Sequence, residues 1–315
     1  MDKITIVYLT GFWYSGATIL GRSLKTSDEV MYVGEIRDFW TKGLKLDGEC
    51  SCGEHFSTCG FWQSVKNDYI NAFPSESIEQ ITEDLAKFER WTNYFQLRKF
   101  LKGKGDKAYK QFLDNYLKHT EKLYEIISKR SGKRIIVDSS RLAVRLRALS
   151  LSNKLNLFPI YIIRDPRGIV NSLFKKEIRD YGERRNNSLI HIIKWIVKNL
   201  LTLNAMKNIE VNKKIYLGYK YFTKNPVRVL KFLENALGCN FDYTLENDKV
   251  TLNLQPGHVF TGNRSRLDSG KITINEDEKW RKELNWLYKI LISITTIPLF
   301  KYVIYKYKLK DWKIS

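Results

Sequence analysis

The chain has 315 residues, 43% of them hydrophobic and 28% charged, which excludes a collagen, a low-complexity chain and a small disulfide-stapled scaffold. Its length suffices for one large α/β domain or two smaller ones. With 54 Lys and Arg against 34 Asp and Glu, the net charge is +20. Such a charge favours anionic ligands, whether nucleotide phosphates, nucleic acid, an acidic polysaccharide or an anionic membrane.

Strand and helix signals alternate along the chain. Short apolar runs rich in β-branched residues predict buried strands at residues 4–9, 30–33, 134–138, 159–164 and 214–221. Between them, apolar residues three and four positions apart predict helices. This alternation indicates an α/β fold in three layers, with a mostly parallel central sheet. Because we find no linker and no internal repeat, we expect a single domain over residues 1–315.

Residues 60–132 differ from the rest, because helical spacing continues there without an intervening strand signal. The clearest helix begins after Asp106, a favourable N-cap, and ends at Gly132. We therefore predict a helical insertion of about residues 60–132 that covers the core and shapes a ligand pocket.

The turn between the first strand and the first helix has the spacing of a phosphate-binding loop. Gly11 is followed by four residues, then by Gly16, Ala17 and Thr18. Backbone N–H groups at a helix start point at such a ligand, and the helix dipole favours its negative charge. Ala17 stands where a nucleotide-hydrolysing loop has its Lys, which argues against an ordinary kinase or NTPase. The alternative is an ordinary strand-to-helix turn that uses Gly for its backbone freedom.

A second anion site is predicted where the strand at residues 159–164 ends. Arg164 lies at the carboxyl end of this strand, the edge at which open α/β sheets bind ligands. Ser172 follows in the helix that Asp165 caps and Pro166 opens. Two phosphate sites without the usual lysine indicate a nucleotide that is phosphorylated at both ends of its ribose.

These blocks resemble the sulfotransferases that use 3′-phosphoadenosine 5′-phosphosulfate (PAPS). The resemblance runs in family order over nearly the whole chain, and it is nearest to the bacterial-type branch with a Cys-rich loop and an Asp-Ser-Ser-Lys block, here residues 138–141. It implies a P-loop-NTPase-like sulfotransferase architecture. It also implies the residues that bind the donor: Gly11, Tyr14, Ser15, Gly16, Ala17 and Thr18 at the 5′-phosphosulfate, Arg164 and Ser172 at the 3′-phosphate, and Gly262, Asn263 and Arg266 in a loop that closes over the nucleotide.

The resemblance also implies catalytic residues. Glu35 is expected to be the general base, the alternative being a surface carboxylate paired with Arg37. Arg141 is expected to stabilise the transferring sulfuryl group at a position where Lys is more usual; the alternative is a charged residue near a helix start. Tyr14 takes the place of a basic residue against the sulfate, and a phenol donates one hydrogen bond but brings no positive charge. Without that charge, Arg141 must carry more of the catalysis.

The predicted reaction is sulfuryl transfer from PAPS to a hydroxyl or amine of a small-molecule or glycan acceptor. The product nucleotide is 3′-phosphoadenosine 5′-phosphate (PAP), and the reaction needs no metal. The insertion at residues 60–132 is expected on the acceptor side. Two alternatives stay open: a P-loop-type nucleotide kinase, which Ala17 disfavours, and a non-catalytic nucleotide- or polyanion-binding protein, which Tyr14 favours. No motif that reads nucleic acid is present, so nucleic acid is not expected as a partner.

Three of the four cysteines, Cys50, Cys52 and Cys59, lie in one short loop. Their Cys-x-Cys-x6-Cys spacing is not a standard zinc pattern, so a thiol-rich lid or a redox-sensitive pair is expected rather than a metal site. Stoichiometric zinc would overturn this expectation.

The two ends of the chain bear on its location. The N-terminus enters a strand directly, without a secretion signal, so a cytoplasmic location is expected. The uncharged run at residues 290–300 has 11 residues, too few to span a bilayer. Residues 286–307 are expected to form a packed helix pair, and the alternative is peripheral membrane contact through this basic C-terminal region.

Overall fold

A computed structural model describes residues 3–181, 188–210, 213–246 and 249–309. Its centre is a parallel sheet of five strands in the order β2-β3-β1-β4-β5. The strands are β1 (Ile4–Gly11), β2 (Val30–Gly34), β3 (Ile135–Asp138), β4 (Leu155–Ile163) and β5 (Ile215–Gly218).

Strand β1 shows why both faces of this sheet are covered. Ile6 and Tyr8 point into the core on one face, and Val7 and Leu9 point into the core on the other. All four side chains are fully buried, as expected for a central strand of a parallel sheet. The predicted α/β fold with a mostly parallel sheet and helices on both faces is therefore confirmed.

Helices fill the two outer layers. The face of Ile6 and Tyr8 packs against residues of α2 (Gly60–Ala72), α3 (Ile78–Phe88), α4 (Asn93–Lys99), α5 (Lys107–Ser131), α6 (Ala143–Leu149) and α8 (Ser188–Lys207), and also of α7 (Pro166–Tyr181) and the C-terminal helix α12 (Trp286–Lys306). The opposite face packs against α1 (Ala17–Leu24), α9 (Tyr219–Lys224) and α10 (Pro226–Leu237). Helix α7 (Pro166–Tyr181) follows β4.

The helices α2 to α5 occupy the region in which the sequence predicts an insertion. Helix α5 has both of its predicted ends. The Asp106 carboxylate accepts a hydrogen bond from the Tyr109 N–H at 2.7 Å, and Gly132 ends the helix with a φ of 69°. A positive φ favours glycine at this C-terminal position.

Two features of the strands differ from the prediction. Strand β4 begins four residues earlier than predicted and runs through Pro159. A proline is tolerated there because β5 begins opposite Ile160, so this half of β4 pairs with β1 alone. In addition, an unpredicted antiparallel sheet forms from three short strands, β6 (Thr244–Glu246), β7 (Lys249–Leu254) and β8 (Gly270–Thr273).

The C-terminal region is not the predicted helix pair. A four-residue helix, α11 (Trp280–Glu283), precedes one long helix, α12 (Trp286–Lys306), which contains Pro298. By length and composition, helix α12 is long and apolar enough to cross a membrane. The 11-residue uncharged run at residues 290–300 did not indicate this, because the helix extends beyond that run at both ends. Its fully buried residues, Ile292 and Val303 among them, pack against the protein.

A buried charge network joins β3 to this helical layer. The Arg145 guanidinium on α6, which is 0% exposed, donates hydrogen bonds to Asp138 at 3.2 Å and to Glu89 at 2.8 Å. It also donates to the hydroxyls of Tyr116 and Tyr124 on α5, at 3.0 and 2.9 Å. One cation thus joins the fully buried Asp138 to Glu89, which is 9% exposed and also lies 3.8 Å from Arg37.

We expect Arg145→Met to lower the free energy of unfolding by about 3–5 kcal/mol, because it leaves the buried charge of Asp138 uncompensated and leaves Glu89 with Arg37 alone. Urea unfolding measures this change. Arg130→Met is the matched control, since it breaks an exposed pair with Asp68 and should cost at most about 1 kcal/mol. Equal losses in the two variants would contradict the role of the Arg145 network.

Candidate active site

A cavity of about 850 Å³ opens at the carboxyl ends of the central strands. Sequence analysis singled out ten of the 25 residues that line it, although they are far apart in the chain: Tyr14, Gly16, Ala17, Thr18, Glu35, Arg141, Arg164, Ser172, Gly262 and Asn263. The predicted donor and catalytic residues therefore meet in one place.

The loop after β1 requires glycine at both predicted positions. Gly11 lies opposite Ile162 of β4, and a Cβ on Gly11 would be 2.3 Å from the Ile162 carbonyl oxygen. Gly16 precedes α1 with a φ of 102°, and a Cβ there would be 2.5 Å from the ring of Tyr219. The backbone of this loop therefore packs closely against its neighbours, and the N–H groups at the start of α1 border the cavity.

Two side chains of the loop affect how it can hold an anion. The Ser15 hydroxyl is buried and has no hydrogen-bond partner in the described part of the chain. Tyr14 has a φ of 60°, which is uncommon for a residue with a side chain. Burial raises the pKa of its phenol, against the opposing effect of Arg179, so Tyr14 is neutral at pH 7. The loop itself thus offers hydrogen-bond donors and no cation.

Arg164 links the loop to a later segment. Its guanidinium donates to the Tyr14 carbonyl oxygen at 3.0 Å and to the Asp277 carboxylate at 2.9 Å, and it lies 4.6 Å from the ring centroid of Tyr219. Burial alone would raise the pKa of Asp277, but the hydrogen bond from Arg164 lowers it below its ordinary value. Ser172 lines the cavity one helix turn further on, and its hydroxyl donates to the Gly168 carbonyl oxygen at 2.9 Å.

Glu35 and Arg141 form an ion pair at the cavity wall. Each is largely buried, with 14% and 10% of the side chain exposed. The predicted alternative for Glu35, a surface pair with Arg37, is not what the structure has. Arg141 has a φ of 56°, and its Nε is buried without a partner among the described residues.

Neighbours on both sides hold Arg141 in this left-handed conformation. The Ser140 N–H donates to Asp138 at 2.7 Å, and the Leu142 N–H donates to the Tyr8 hydroxyl at 2.8 Å. Backbone strain of this kind persists where the surroundings determine it, and it concentrates at functional sites.

The loop at residues 262–266 only partly matches its predicted role. Gly262 and Asn263 line the cavity, as does Arg264. Arg266 does not line it: its guanidinium donates to the Glu49 carbonyl oxygen at 3.2 Å, beside the cysteine loop. Arg266 is therefore directed toward a different region from the predicted phosphate site.

Sequence reasoning missed the cations that helices bring to the cavity. Lys176 and Arg179 of α7 line it, and Lys198 of α8 lies over the Trp13 ring at 3.6 Å from the centroid. Burial and the nearby charge of Arg141 lower the pKa of Lys198 to about 7. In the sequence these three residues look like the polar residues of any surface helix, so no motif identifies them as part of a site.

Every carboxylate that lines the cavity within the described ranges already faces a cation or a histidine. The pairs are Glu35 with Arg141, Asp38 with Lys42, Glu177 with His191, and Asp277 with Arg164. Of the other lining cations, Arg37 pairs with Asp38, and Lys176 and Arg179 pair with Asp180. Seven Lys and Arg side chains line the cavity against four carboxylates, so the cavity is suited to an anion.

No protein-family model and no curated protein matches the chain. Among solved structures, it is similar to the sulfotransferase domain from the curacin biosynthetic pathway, with a TM-score of 0.51 and 16% identity over 93% of this chain and 97% of that one. It is also similar to the sulfotransferase domain of the Synechococcus PCC 7002 olefin synthase, with a TM-score of 0.49 and 15% identity over 94% and 96% of the two chains. For the sulfotransferase STF9 from Mycobacterium avium the values are 0.45 and 11%, over 100% and 78%. The curacin likeness confirms the predicted sulfotransferase-type fold.

The burial of Lys198 gives a prediction about pH. Because the pKa of Lys198 is about 7 in the folded protein and about 10.4 when unfolded, the unfolded chain binds more protons between these values. The free energy of unfolding should therefore rise with pH in this window, by on the order of 1 kcal/mol per pH unit, relative to a Lys198→Met variant. Urea unfolding at several pH values tests this. Lys194→Met, at an exposed position of the same helix, should follow the wild type; parallel curves for wild type and Lys198→Met would contradict the prediction.

Proposed function

We propose that this protein is a PAPS-dependent sulfotransferase that transfers the sulfuryl group to a hydroxyl or amine of a small-molecule or glycan acceptor. The observation that carries the proposal is the cavity itself. A phosphate-type loop without the usual lysine, a second cationic site at Arg164 and the Glu35–Arg141 pair all border it. The sulfotransferase-type fold supports the same conclusion.

The proposed donor site uses the two anion sites of the cavity. The N–H groups after Gly16 and the unpartnered Ser15 hydroxyl suit the 5′-phosphosulfate, because they place hydrogen-bond donors at the N-terminus of α1. Arg164 and Ser172 suit the 3′-phosphate, which would compete with Asp277 for the Arg164 guanidinium. The donor supplies the sulfuryl group, and the protein supplies position and charge.

The Glu35–Arg141 pair determines the order of events in the proposed catalysis. While the two side chains are paired, the Glu35 carboxylate is engaged and is a poor proton acceptor. An anionic sulfuryl group beside Arg141 draws the guanidinium away, and this frees Glu35 to take the proton of the acceptor. Gly262 lies next to Glu35, so the loop over the nucleotide borders the same point.

Lys198 compensates for the uncharged Tyr14 in this proposal. Its ammonium lies over Trp13, the residue just before Tyr14, and it is close to Arg141. An anion at the loop stabilises the protonated lysine. Positive charge at the transferring group then comes from α8 and from Arg141 rather than from the loop.

The kinase alternative is less well supported. Ala17 removes the lysine that reaches the β- and γ-phosphates, and each carboxylate that lines the cavity in the described ranges is already paired with a cation or a histidine. The non-catalytic alternative rests on Tyr14 alone, and Lys198 weakens it.

We also propose that α12 rests on an anionic membrane surface. Leu287, Ile290 and Ile294 form an exposed apolar stripe along α12 with helical spacing. The opposite side, with Ile292, packs against α7 and α8, which favours a helix that lies on a membrane over one that crosses it. The net charge of +20 attracts anionic lipid.

PAP should stabilise the protein, whereas ATP with magnesium should not. At 100 times its dissociation constant PAP adds about 2.7 kcal/mol to the free energy of unfolding, which thermal unfolding detects. Arg141→Ala should keep this stabilisation but lose about 10²- to 10³-fold in turnover, because Arg141 acts on the transferring group. Turnover is measured as PAP release from PAPS with a panel of phenols, alcohols and amino sugars.

Three results would oppose the proposal. Stabilisation by ATP with magnesium alone would favour the kinase, and turnover of Arg141→Ala at the wild-type rate would remove Arg141 from catalysis. Stabilisation by PAP without turnover of any acceptor would favour the non-catalytic alternative.

Flotation with vesicles of phosphatidylcholine and phosphatidylserine tests the membrane proposal. The wild type should float at low salt, and Ile290→Glu or Ile294→Glu should remain at the bottom, because a charge in the apolar stripe opposes its burial. Leu46→Glu, at another exposed apolar position, is the control and should float. Flotation of all variants would contradict a role for α12.

A further inference from the structure

The three cysteines of the loop meet a histidine from far along the chain. The thiols of Cys50, Cys52 and Cys59 and a ring nitrogen of His258 all lie within 4.8 Å of one another. Cys50 and Cys59 are buried, and the other two are partly buried. His258 follows Cys59 by 199 residues, which is why spacing within the loop did not reveal a four-ligand set.

The distances within this cluster fit a tetrahedral metal site. Zn–S bonds of about 2.3 Å and Zn–N bonds of about 2.0 Å place tetrahedral ligands about 3.8 Å apart for two sulfurs and about 3.5 Å apart for sulfur and nitrogen. The Cys52 and Cys59 sulfurs are 3.6 Å apart, and the Cys59 sulfur is 3.3 Å from His258 Nδ1. All of the cysteines are free thiols.

The loop backbone directs its thiols to one point. The Gly53 N–H donates to the Cys50 carbonyl oxygen at 3.0 Å, and the Cys50 N–H donates to the Glu54 carbonyl oxygen at 2.8 Å. Gly53 has a φ of 96°, which closes this turn without a side chain. The turn brings Cys50 and Cys52 to the same side as Cys59.

The histidine is also held in place. The Phe61 ring stacks on His258 at 4.8 Å, and Trp62 Nε1 donates to the His258 carbonyl oxygen at 3.0 Å. Ser51 and Val259 exchange two hydrogen bonds of 3.0 Å, one from the Ser51 N–H and one from the Val259 N–H to the Ser51 hydroxyl. These contacts hold the imidazole with its Nδ1 toward the Cys59 sulfur.

The charges around the cluster suit a bound cation with three thiolates. Three thiolates, a neutral imidazole and a divalent ion carry a net charge of −1. Two cations lie nearby: Lys25, which donates to the Gln255 carbonyl oxygen at 2.5 Å, and Arg266, which donates to the Glu49 carbonyl oxygen at 3.2 Å. This also gives Arg266 a role away from the nucleotide.

We propose that Cys50, Cys52, Cys59 and His258 bind one structural zinc ion. Four protein ligands leave no open position, which is the pattern of structural rather than catalytic zinc. The site joins the loop that follows β2 to the segment that leads into Gly262 and Asn263, and so it supports one wall of the cavity. The sequence-based expectation of no metal is reversed by this proposal, which does not depend on the proposed enzymatic activity.

Metal analysis of the protein purified under reducing conditions tests the proposal. We expect one zinc ion per chain, and Cys59→Ser or His258→Asn should lose most of it. Cys239→Ser is the matched control, because Cys239 is also a buried free thiol but lies outside the cluster, and it should keep its zinc.

A second measurement guards against variants that fail to fold. Wild-type protein stripped of metal is titrated with Co²⁺, whose absorption reports tetrahedral coordination by thiolates. Saturation at one equivalent, with displacement by Zn²⁺ and a higher unfolding temperature, would support the site. Wild-type protein that contains no metal and gives no tetrahedral Co²⁺ spectrum, or a Cys52–Cys59 disulfide in the purified protein, would overturn it.

Discussion

The architecture of the site depends on one buried cation. Arg145 is fully buried and compensates the charges of Asp138 and Glu89, while the hydroxyls of Tyr116 and Tyr124 complete its hydrogen bonds. Arg145, Asp138 and the two tyrosines are buried from water, so each of them depends on the others for its polar partners. A central strand, the helix after it and the long helix α5 therefore adopt one relative arrangement.

Short segments and hydrogen bonds connect the Arg145 network to the wall of the cavity. Asp138 accepts from the N–H of Ser140, and Tyr8 accepts from the N–H of Leu142, so both neighbours of Arg141 are attached to the sheet. The left-handed backbone of Arg141 is stable because these bonds leave it no alternative. The pair with Glu35 then forms between two loops that the sheet already holds in place. The buried network thus helps to fix the position of the Glu35–Arg141 pair.

The parts of this molecule that can be predicted are those that depend on residues close together in the sequence. Asp106 and Gly132 mark the ends of α5 because capping needs only a few neighbouring residues, and the turn before Gly16 follows from its spacing. The partners of Arg164 and Cys59 are different, because Asp277 and His258 are brought to them only by the folded chain. Weak strands such as those of the antiparallel sheet gain their stability from pairing, and a single sequence cannot reveal that gain.

Where the expected pattern has a basic residue in the loop, this chain has Tyr14. A positive charge lies on α8 instead. Tyr14 keeps the loop neutral, while Lys198 on α8 brings an ammonium over Trp13 and toward Arg141. An arginine or lysine in the loop would be charged at any physiological pH, but a lysine with a pKa of about 7 is only partly charged before an anion arrives. Under the proposed function, binding of an anion at the loop and protonation of Lys198 would be linked. The anionic donor would then bind more strongly at lower pH, a property that the loop sequence by itself would not produce.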